Sequence, residues 1–280
     1  MSFTIQELFD STERYSSAID TTAATPSHAE RDGVHILNEK LEIPDCVGLV
    51  ERPRLIEKLD RSLRYFAAAL VSGRAGTGKT SIAAAYARTR KSAAWFTVES
   101  SDVDWNVFAS YLAASVLRAV GSKKSVGDSL PSVTNPSPAA MAIFFLNLVS
   151  ELETAEMDHR PLLVLDGIHH VFDADWFGEF FNILRPSLSE TADLLFLCRS
   201  KPPYPLWRLR SKQQLDVVDE KTLAFDLDET ILLLKQVGGS RTDAVRIHAE
   251  TFGRISKLIP FLRGKQSSST DCTDFINGSV

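Results

Sequence analysis

The sequence of 280 residues predicts an α/β fold, in which helices sandwich a parallel five-stranded sheet. Short apolar runs alternate with amphipathic stretches of helical period between residues 46 and 226. Such alternation is typical of parallel strands joined by covering helices. A glycine-rich segment follows the first apolar run, and a later run ends in Asp166. Because ligands bind at the carboxyl ends of parallel strands, these features predict a ligand site at one edge of the sheet.

Each element follows from its local pattern. Apolar runs predict strands at 66–71, 93–98, 162–166, 193–198 and 214–218. Apolar residues at helical spacing predict helices at 81–88, 141–152, 175–184, 229–236 and 243–262. Further helical patterns run through 55–65 and 105–116, and glycine, serine and proline mark 121–138 as a surface loop.

These elements divide the chain into four parts. Residues 1–45 are polar and weakly patterned, which predicts a flexible N-terminal arm. Residues 46–226 hold the α/β domain, and 227–264 form a helical segment that begins a lid domain. Residues 265–280 are rich in serine and threonine and are expected to be a frayed tail.

Composition excludes several classes of partner. The net charge of −5 gives no basic surface for direct nucleic-acid binding. No apolar stretch approaches the ~20 residues of a membrane span, and the N-terminus lacks a signal-peptide pattern. The cysteines, Cys46, Cys198 and Cys272, have no metal-ligand spacing and are expected to be reduced thiols. We therefore expect a cytoplasmic chain without membrane contact.

Residues 73–80 match the phosphate-binding P-loop pattern G-x-x-x-x-G-K-[ST]. Its glycines let several backbone N–H groups face one anion, and the following helix adds a favourable dipole. Lys79 can reach the β- and γ-phosphates, and the Thr80 hydroxyl can hold Mg²⁺. The alternative is a plain glycine turn between strand and helix. The predicted nucleotide-binding residues are Gly73, Arg74, Ala75, Gly76, Thr77, Gly78, Lys79, Thr80 and Ser81.

Two further residues complete the predicted site for ATP or ADP with Mg²⁺. Asp166 ends an apolar strand, the place from which a carboxylate supports Mg²⁺ in P-loop enzymes. Thr80 and Asp166 are thus the predicted Mg²⁺ residues. Arg199 directly follows another strand and could contact phosphate or form a surface ion pair. Lys79, Asp166 and Arg199 are the predicted catalytic residues.

The segment 47–54 leaves two interpretations open. A short glycine turn and a basic helix just before a P-loop strand is where many ATPases seat the nucleotide base. The helix could equally cover the edge of the sheet.

Motifs beyond the P-loop carry a family resemblance. They lie in order at 95–96, 102–104, 108–114, 162–169, 197–203, 206–210, 214–215 and 223–225. Together they resemble the ATPase domain of MalT-type regulators, which belong to the STAND class of signal-transduction ATPases. The resemblance covers about residues 48–262, before the sensor and DNA-binding parts of such regulators, so no transcription-factor role is expected of this chain.

The resemblance implies a sheet with an added strand between the strand that precedes the P-loop and the strand that ends in Asp166. It also implies an ATP-operated switch that rests with ADP, associates with itself or with a protein partner when ATP is bound, and resets by slow hydrolysis. In this family Arg199 would sense the γ-phosphate, and His169 would make a polar contact near the nucleotide. Otherwise His169 and His170 are loop residues.

Two positions depart from the family. Gly167 stands where a second acid usually orients the attacking water. We therefore expect slow hydrolysis, which an aspartate or glutamate at this position would accelerate unless a positive φ requires glycine here or Glu179 already fills the role. Residues 252–255 read Phe-Gly-Arg-Ile and lack the proline of the family's GG-W-P turn.

The sequence thus predicts an ATP-binding switch domain with weak ATPase activity, converting ATP and water to ADP and phosphate. A non-hydrolysing nucleotide-binding scaffold that recruits partners is one alternative. A small-molecule phosphotransferase is less favoured, because no arginine-rich lid segment follows the sheet. GTP is not expected, because the sequence has no Asn-Lys-x-Asp motif.

Overall fold

The computed structural model describes residues 34–45, 50–66, 68–122, 137–154, 160–188, 191–199 and 202–270. Within them lies a 5-stranded sheet whose paired strands are all parallel. The strands are β1 (Ala68–Ser72), β2 (Ala93–Thr97), β3 (Leu162–Asp166), β4 (Asp193–Cys198) and β5 (Leu215–Val218). Their order is β2-β3-β4-β1-β5. The predicted fold class is confirmed, and β4 is the added strand that the resemblance implied between β1 and β3.

Helices cover the sheet, and further helices follow the last strand along the chain. Those of the α/β part are α1 (Pro53–Tyr65), α2 (Lys79–Arg88), α3 (Trp105–Ala119), α4 (Pro138–Thr154), α5 (Phe177–Leu188), α6 (Tyr204–Ser211) and α7 (Glu220–Leu223). Those of the helical segment are α8 (Leu227–Gln236), α9 (Arg241–Thr251) and α10 (Ile255–Thr270). Among the described residues, none of these helices has the length and apolarity that a membrane crossing requires.

The strands are apolar throughout because both faces of the sheet are buried. Successive side chains of a strand point to opposite faces. Accordingly, Leu70 of β1 joins one hydrophobic cluster and its neighbour Val71 joins the other. The first cluster is built mainly from aromatic and aliphatic residues of α3, α4 and α5, and the second from α1 and α2. Continuous apolar runs are the expected pattern for parallel strands covered on both sides.

The predicted arm and tail need correction where they are described. Residues 1–33 lie outside the described residues, but within 34–45 Lys40 and Leu41 are buried. Leu41 joins the core, and the buried Lys40 bonds the Asp102 carboxylate at 2.8 and 3.0 Å. At the other end, α10 continues to Thr270, into the predicted tail. The polar composition of 34–45 gave no sign of this burial, because the partner of Lys40 lies 62 residues away. Most of the predicted 121–138 loop, residues 123–136, lies outside the described residues.

The predicted helix at 243–262 is two helices. Helix α9 ends at Thr251, and Phe252 takes a left-handed conformation with φ 52°. The break is fixed by the backbone of the preceding segment, because Phe225 N–H donates to the Gly253 carbonyl at 2.8 Å. Helix α10 then begins at Ile255.

A buried ion pair joins the helical segment to the residues just before α1. The Arg52 guanidinium donates to Glu229 Oε2 at 2.8 Å and lies 4.0 Å over the Phe225 ring. Arg54 adds a second bond to the same carboxylate oxygen at 3.1 Å. Burial alone would raise the pKa of Glu229, but the hydrogen bonds from Arg52 and Arg54 outweigh burial and lower it. The anionic form of Glu229 therefore stabilises the packing of the helical segment against the residues before α1.

Replacing this carboxylate should destabilise the protein. We expect Glu229→Gln to lower the free energy of unfolding by about 3 kcal/mol at pH 7, because it leaves the buried Arg52 charge without a counter-ion. Urea denaturation measures the loss. Since the folded-state pKa is lowered, the wild-type advantage should be present above the unfolded pKa of a glutamate and shrink as pH falls below it.

The matched control is Glu250→Gln, which removes an exposed pair with Arg246 on α9. Its cost should stay below about 0.5 kcal/mol. Equal costs for the two variants would show that the Arg52–Glu229 pair does not stabilise the packing of the helical segment.

Candidate functional site

The loop between β1 and α2 has the conformation that its sequence predicts. Gly76 and Gly78 have φ of 71° and 85°, a region that favours glycine. Gly73 N–H donates to the Cys198 carbonyl at 3.3 Å, which ties the loop to β4. Helix α2 begins at Lys79, directly after the loop. The first N–H groups of a helix have no partner within it, so they and the loop amides form a cradle suited to an anion.

The Lys79 ammonium lies inside the arc of this loop. It donates to the Arg74 carbonyl at 2.7 Å and lies 3.4 Å from Thr77 Oγ1. Burial lowers the pKa of Lys79, and the positive charge of Arg199 lowers it further. An added negative charge would relieve this repulsion, so the surroundings of Lys79 favour an anion.

A hydrogen bond joins the loop to the strand that ends in the predicted aspartate. The Thr80 hydroxyl donates to Asp166 Oδ2 at 2.8 Å, across 86 positions of sequence. Burial raises the pKa of Asp166, against the hydrogen bond from Thr80 and the charges of Lys79 and Arg199. A hydroxyl and a carboxylate are the oxygen ligands that Mg²⁺ prefers, so these two residues fit such an ion.

One cavity of about 330 Å³ brings most of the predicted residues together. Of the predicted site residues, it is lined by Ala75, Gly76, Gly78, Lys79, Thr80, Ser81, Asp166 and Arg199. Three predicted residues are not on its wall. Arg74 instead pairs with Glu220 at 2.6 Å, and the Thr77 hydroxyl donates to the Arg74 carbonyl at 2.9 Å. Gly73 packs against the side chain of Glu220, because a Cβ added at Gly73 would lie 3.5 Å from the Glu220 Cβ.

The cavity is also lined by a positive charge and a neutral histidine. Arg199 is exposed at the end of β4. Burial, followed by the charges of His170, Arg199 and Lys79, lowers the pKa of His169 to about 4. His169 is therefore uncharged near neutral pH and can serve as a hydrogen-bonding group beside Asp166.

The backbone at Gly167 excludes a side chain. Gly167 has φ of 82°, and an added Cβ would lie 2.5 Å from the Val98 carbonyl oxygen. Of the outcomes expected at this position, the structure supports the one in which glycine is required, so an aspartate or glutamate here would disturb the backbone rather than supply the missing acid. Glu179, the suggested substitute, does not line the cavity, whereas Glu99 does. Sequence reasoning missed Glu99, although its place directly after the predicted strand 93–98 was a usable signal.

A second cavity, of about 550 Å³ and mainly apolar, adjoins the first. The two share Gly78 and Ser81. Its wall combines the segment before α1, helix α2 and residues of the helical part, including Val50, Ile82, Phe225, Leu233 and Ile255. The segment around Val50 thus does more than cover the edge of the sheet, since it lines a cavity next to the loop.

Comparison of the sequence with known families gives a match over residues 49–195, just over half of the chain, to the AAA ATPase domain. The chain is also 29% identical over 180 residues to the HTH-type transcriptional regulator MalT of Serratia proteamaculans (strain 568). The MalT of Yersinia enterocolitica shows the same identity over the same length. Each alignment covers 64% of this chain and 19% of the regulator, so the chain spans about a fifth of these relatives. The resemblance to the ATPase domain of MalT-type regulators is confirmed.

Solved structures show more distant likenesses. The Walker-type ATPase PABY2304 of Pyrococcus abyssi superimposes with a TM-score of 0.47 and 13% identity, over 73% of this chain and 64% of that one. The ORC1 protein of Aeropyrum pernix, solved in complex with DNA, gives a TM-score of 0.43 and 19% identity, over 72% of this chain and 51% of that one. Scores this low add nothing to what the sequence match shows.

The crowding at Gly167 can be measured. We expect Gly167→Ala to lower the free energy of unfolding by about 3 kcal/mol or more, because it combines backbone strain with the contact to the Val98 carbonyl. Gly238→Ala is the matched control, since Gly238 has φ of 72° with nothing within 4 Å of an added Cβ. That variant should lose only about 1–2 kcal/mol. Thermal and urea unfolding that place the two variants at the same stability would refute the close contact.

Proposed function

The chain belongs to the family of AAA ATPase domains, and from that premise we propose that it is an ATP-binding switch domain of the STAND type with slow ATP hydrolysis. The observation that carries the proposal is the placement of Lys79, Thr80 and Asp166 around one cavity. The loop amides and Lys79 would bind the phosphates, and Arg199 would contact the γ-phosphate from the end of β4. In this proposal 46–226 is the ATPase domain, and 227–264 begins the lid.

Mg²⁺ would be held by the Thr80 hydroxyl and the Asp166 carboxylate. When bound, the ion neutralises charge on the phosphate oxygens. The hydrogen bond between Thr80 and Asp166 keeps both ligands on the same side of the cavity before any ion arrives. Prepositioned ligands lower the ordering cost of binding.

The adenine base would enter the adjoining apolar cavity. That cavity shares Gly78 and Ser81 with the phosphate-binding one, so a single ligand could occupy both. Its wall includes Phe225 and Ile255 from the helical side and Ile82 from α2. The nucleotide would thus touch the ATPase domain and the lid together, so its state could bias the lid position. A changed lid position would alter the surface offered to another copy or to a protein partner.

A non-hydrolysing scaffold is the second candidate, and Gly167 favours it. Its backbone leaves no space for the acid that usually sits there. The two candidates share nucleotide binding and differ in turnover. Phosphate release well below the ~1–10³ s⁻¹ of ordinary enzymes, yet above the rate without protein, supports slow hydrolysis.

Lys79→Ala should abolish or greatly weaken binding of ATP·Mg²⁺ while leaving the fold intact, because it removes the ammonium from the loop. Isothermal titration measures affinity, and circular dichroism checks the fold. The control is Lys235→Ala, which removes an exposed lysine from α8. Unchanged affinity in a well-folded Lys79→Ala protein would rule out the phosphate site at this loop.

Asp166→Asn should lose the Mg²⁺ dependence of ATP binding more than binding itself. The amide keeps the shape of the side chain but lacks the charge that attracts the ion. Titrating ATP with and without Mg²⁺ into both proteins gives the two enhancement factors. If Mg²⁺ strengthens ATP binding equally in wild type and variant, Asp166 is not a magnesium ligand.

A further inference from the structure

We propose that Glu99 supplies the carboxylate that orients and deprotonates the attacking water in ATP hydrolysis, in place of the acid that Gly167 cannot carry. This inference rests on the proposed function of the site. It assigns a catalytic role to Glu99.

The sheet places Glu99 beside the predicted magnesium ligand. Strands β2 and β3 are parallel neighbours, with Thr97 in register with Asp166. Val98 N–H then donates to the Asp166 carbonyl at 2.7 Å, so the two chains still run together one residue later. Glu99 follows and lines the same cavity as Lys79 and Asp166. An acid just after the strand next to Asp166 therefore lies on the wall of the cavity in which the phosphates are proposed to bind.

A buried lysine holds the Glu99 side chain without cancelling its charge. Lys40 Nζ lies 3.0 Å from Glu99 Oε2 and bonds both oxygens of Asp102, at 2.8 and 3.0 Å. One ammonium thus faces two carboxylates, which leaves one net negative charge. The Asp102 side chain is only 1% exposed, whereas that of Glu99 is 57% exposed. Of the two carboxylates, Glu99 is therefore the one that remains accessible, and it also lines the cavity.

The backbone of Glu99 is fixed as well. Its N–H donates to Asp102 Oδ2 at 2.8 Å, so the same buried aspartate anchors both Glu99 and Lys40. An acid that acts as a general base has to be held in place relative to the reacting atoms. Among the described acids, Asp173, Asp175 and Glu179 are not on the cavity wall, which leaves Glu99 as the carboxylate besides Asp166 that lines it.

The proposed step balances as ATP plus water giving ADP plus phosphate. The water oxygen forms a bond to the γ-phosphorus, and the bond from that phosphorus to the β–γ bridging oxygen breaks. The ADP oxygen keeps the electron pair of the broken bond. Glu99 accepts the proton of the water and releases it to solvent after the product leaves.

The test compares wild type, Glu99→Gln, Glu99→Asp and the control Glu42→Gln. Glu42 is an exposed glutamate that pairs with Arg118 at 3.5 Å and lies outside the cavity that Glu99 lines. We measure phosphate release at saturating ATP·Mg²⁺, ATP affinity by isothermal titration, and urea unfolding without nucleotide. Glu99→Gln should lose about 100-fold in turnover while its ATP affinity stays within about threefold of wild type. Glu99→Asp should fall between them, and Glu42→Gln should match wild type.

Each other outcome is decisive. Wild-type turnover in a folded Glu99→Gln protein that binds ATP overturns the role of Glu99 and leaves the proposed function standing. Wild type that binds ATP but releases no phosphate above the protein-free rate overturns both the role of Glu99 and the slow hydrolysis of the proposed function, leaves nucleotide binding standing, and favours the scaffold. Wild type that fails to bind ATP overturns the proposed function and this inference with it. Should Glu99→Gln fail to fold, full turnover by Glu99→Asp would contradict the inference.

Discussion

The hydrogen bond from Thr80 to Asp166 is the contact on which the site depends. It requires the start of α2 and the end of β3 to reach the same edge of the sheet, although β4 separates β1 from β3. That geometry follows from parallel strands, whose carboxyl ends share one edge. Because β4 lies between the two, its own end brings Arg199 to the cavity. The sheet order thus decides which charged residues meet.

Electrostatic imbalance gives this edge its chemical character. Lys79 is buried and its pKa is lowered by that burial and by Arg199, while the pKa of Asp166 is raised by burial. Both pKa shifts show that the charged forms of Lys79 and Asp166 are incompletely solvated. A polyanion with a divalent cation would satisfy both sets of charges together. The same reasoning makes an apolar ligand unsuitable for this cavity and suited to the adjoining one.

Sequence patterns predicted the parts of the molecule that local rules determine. The strands follow from apolar runs, and the P-loop follows from spacing alone, so their positions agree with the structure within a few residues. Features set by distant contacts were missed. Lys40 is polar in a polar segment, and only its pairing with Asp102 buries it. At Gly167 a positive φ could be anticipated, but the contact with the Val98 carbonyl comes from the end of a neighbouring strand. Glu99 follows a predicted strand, but its place near Asp166 depends on β2 lying next to β3.

The central claim is that the cavity at the carboxyl edge of the sheet binds the phosphates of ATP·Mg²⁺. Hydrogen–deuterium exchange of the whole chain, with and without ATP·Mg²⁺, tests it most directly. Nucleotide should slow amide exchange most strongly in residues 73–81, with further protection at the segment before α1 and in the helical segment 227–264. Unchanged exchange in residues 73–81 at saturating nucleotide would contradict it.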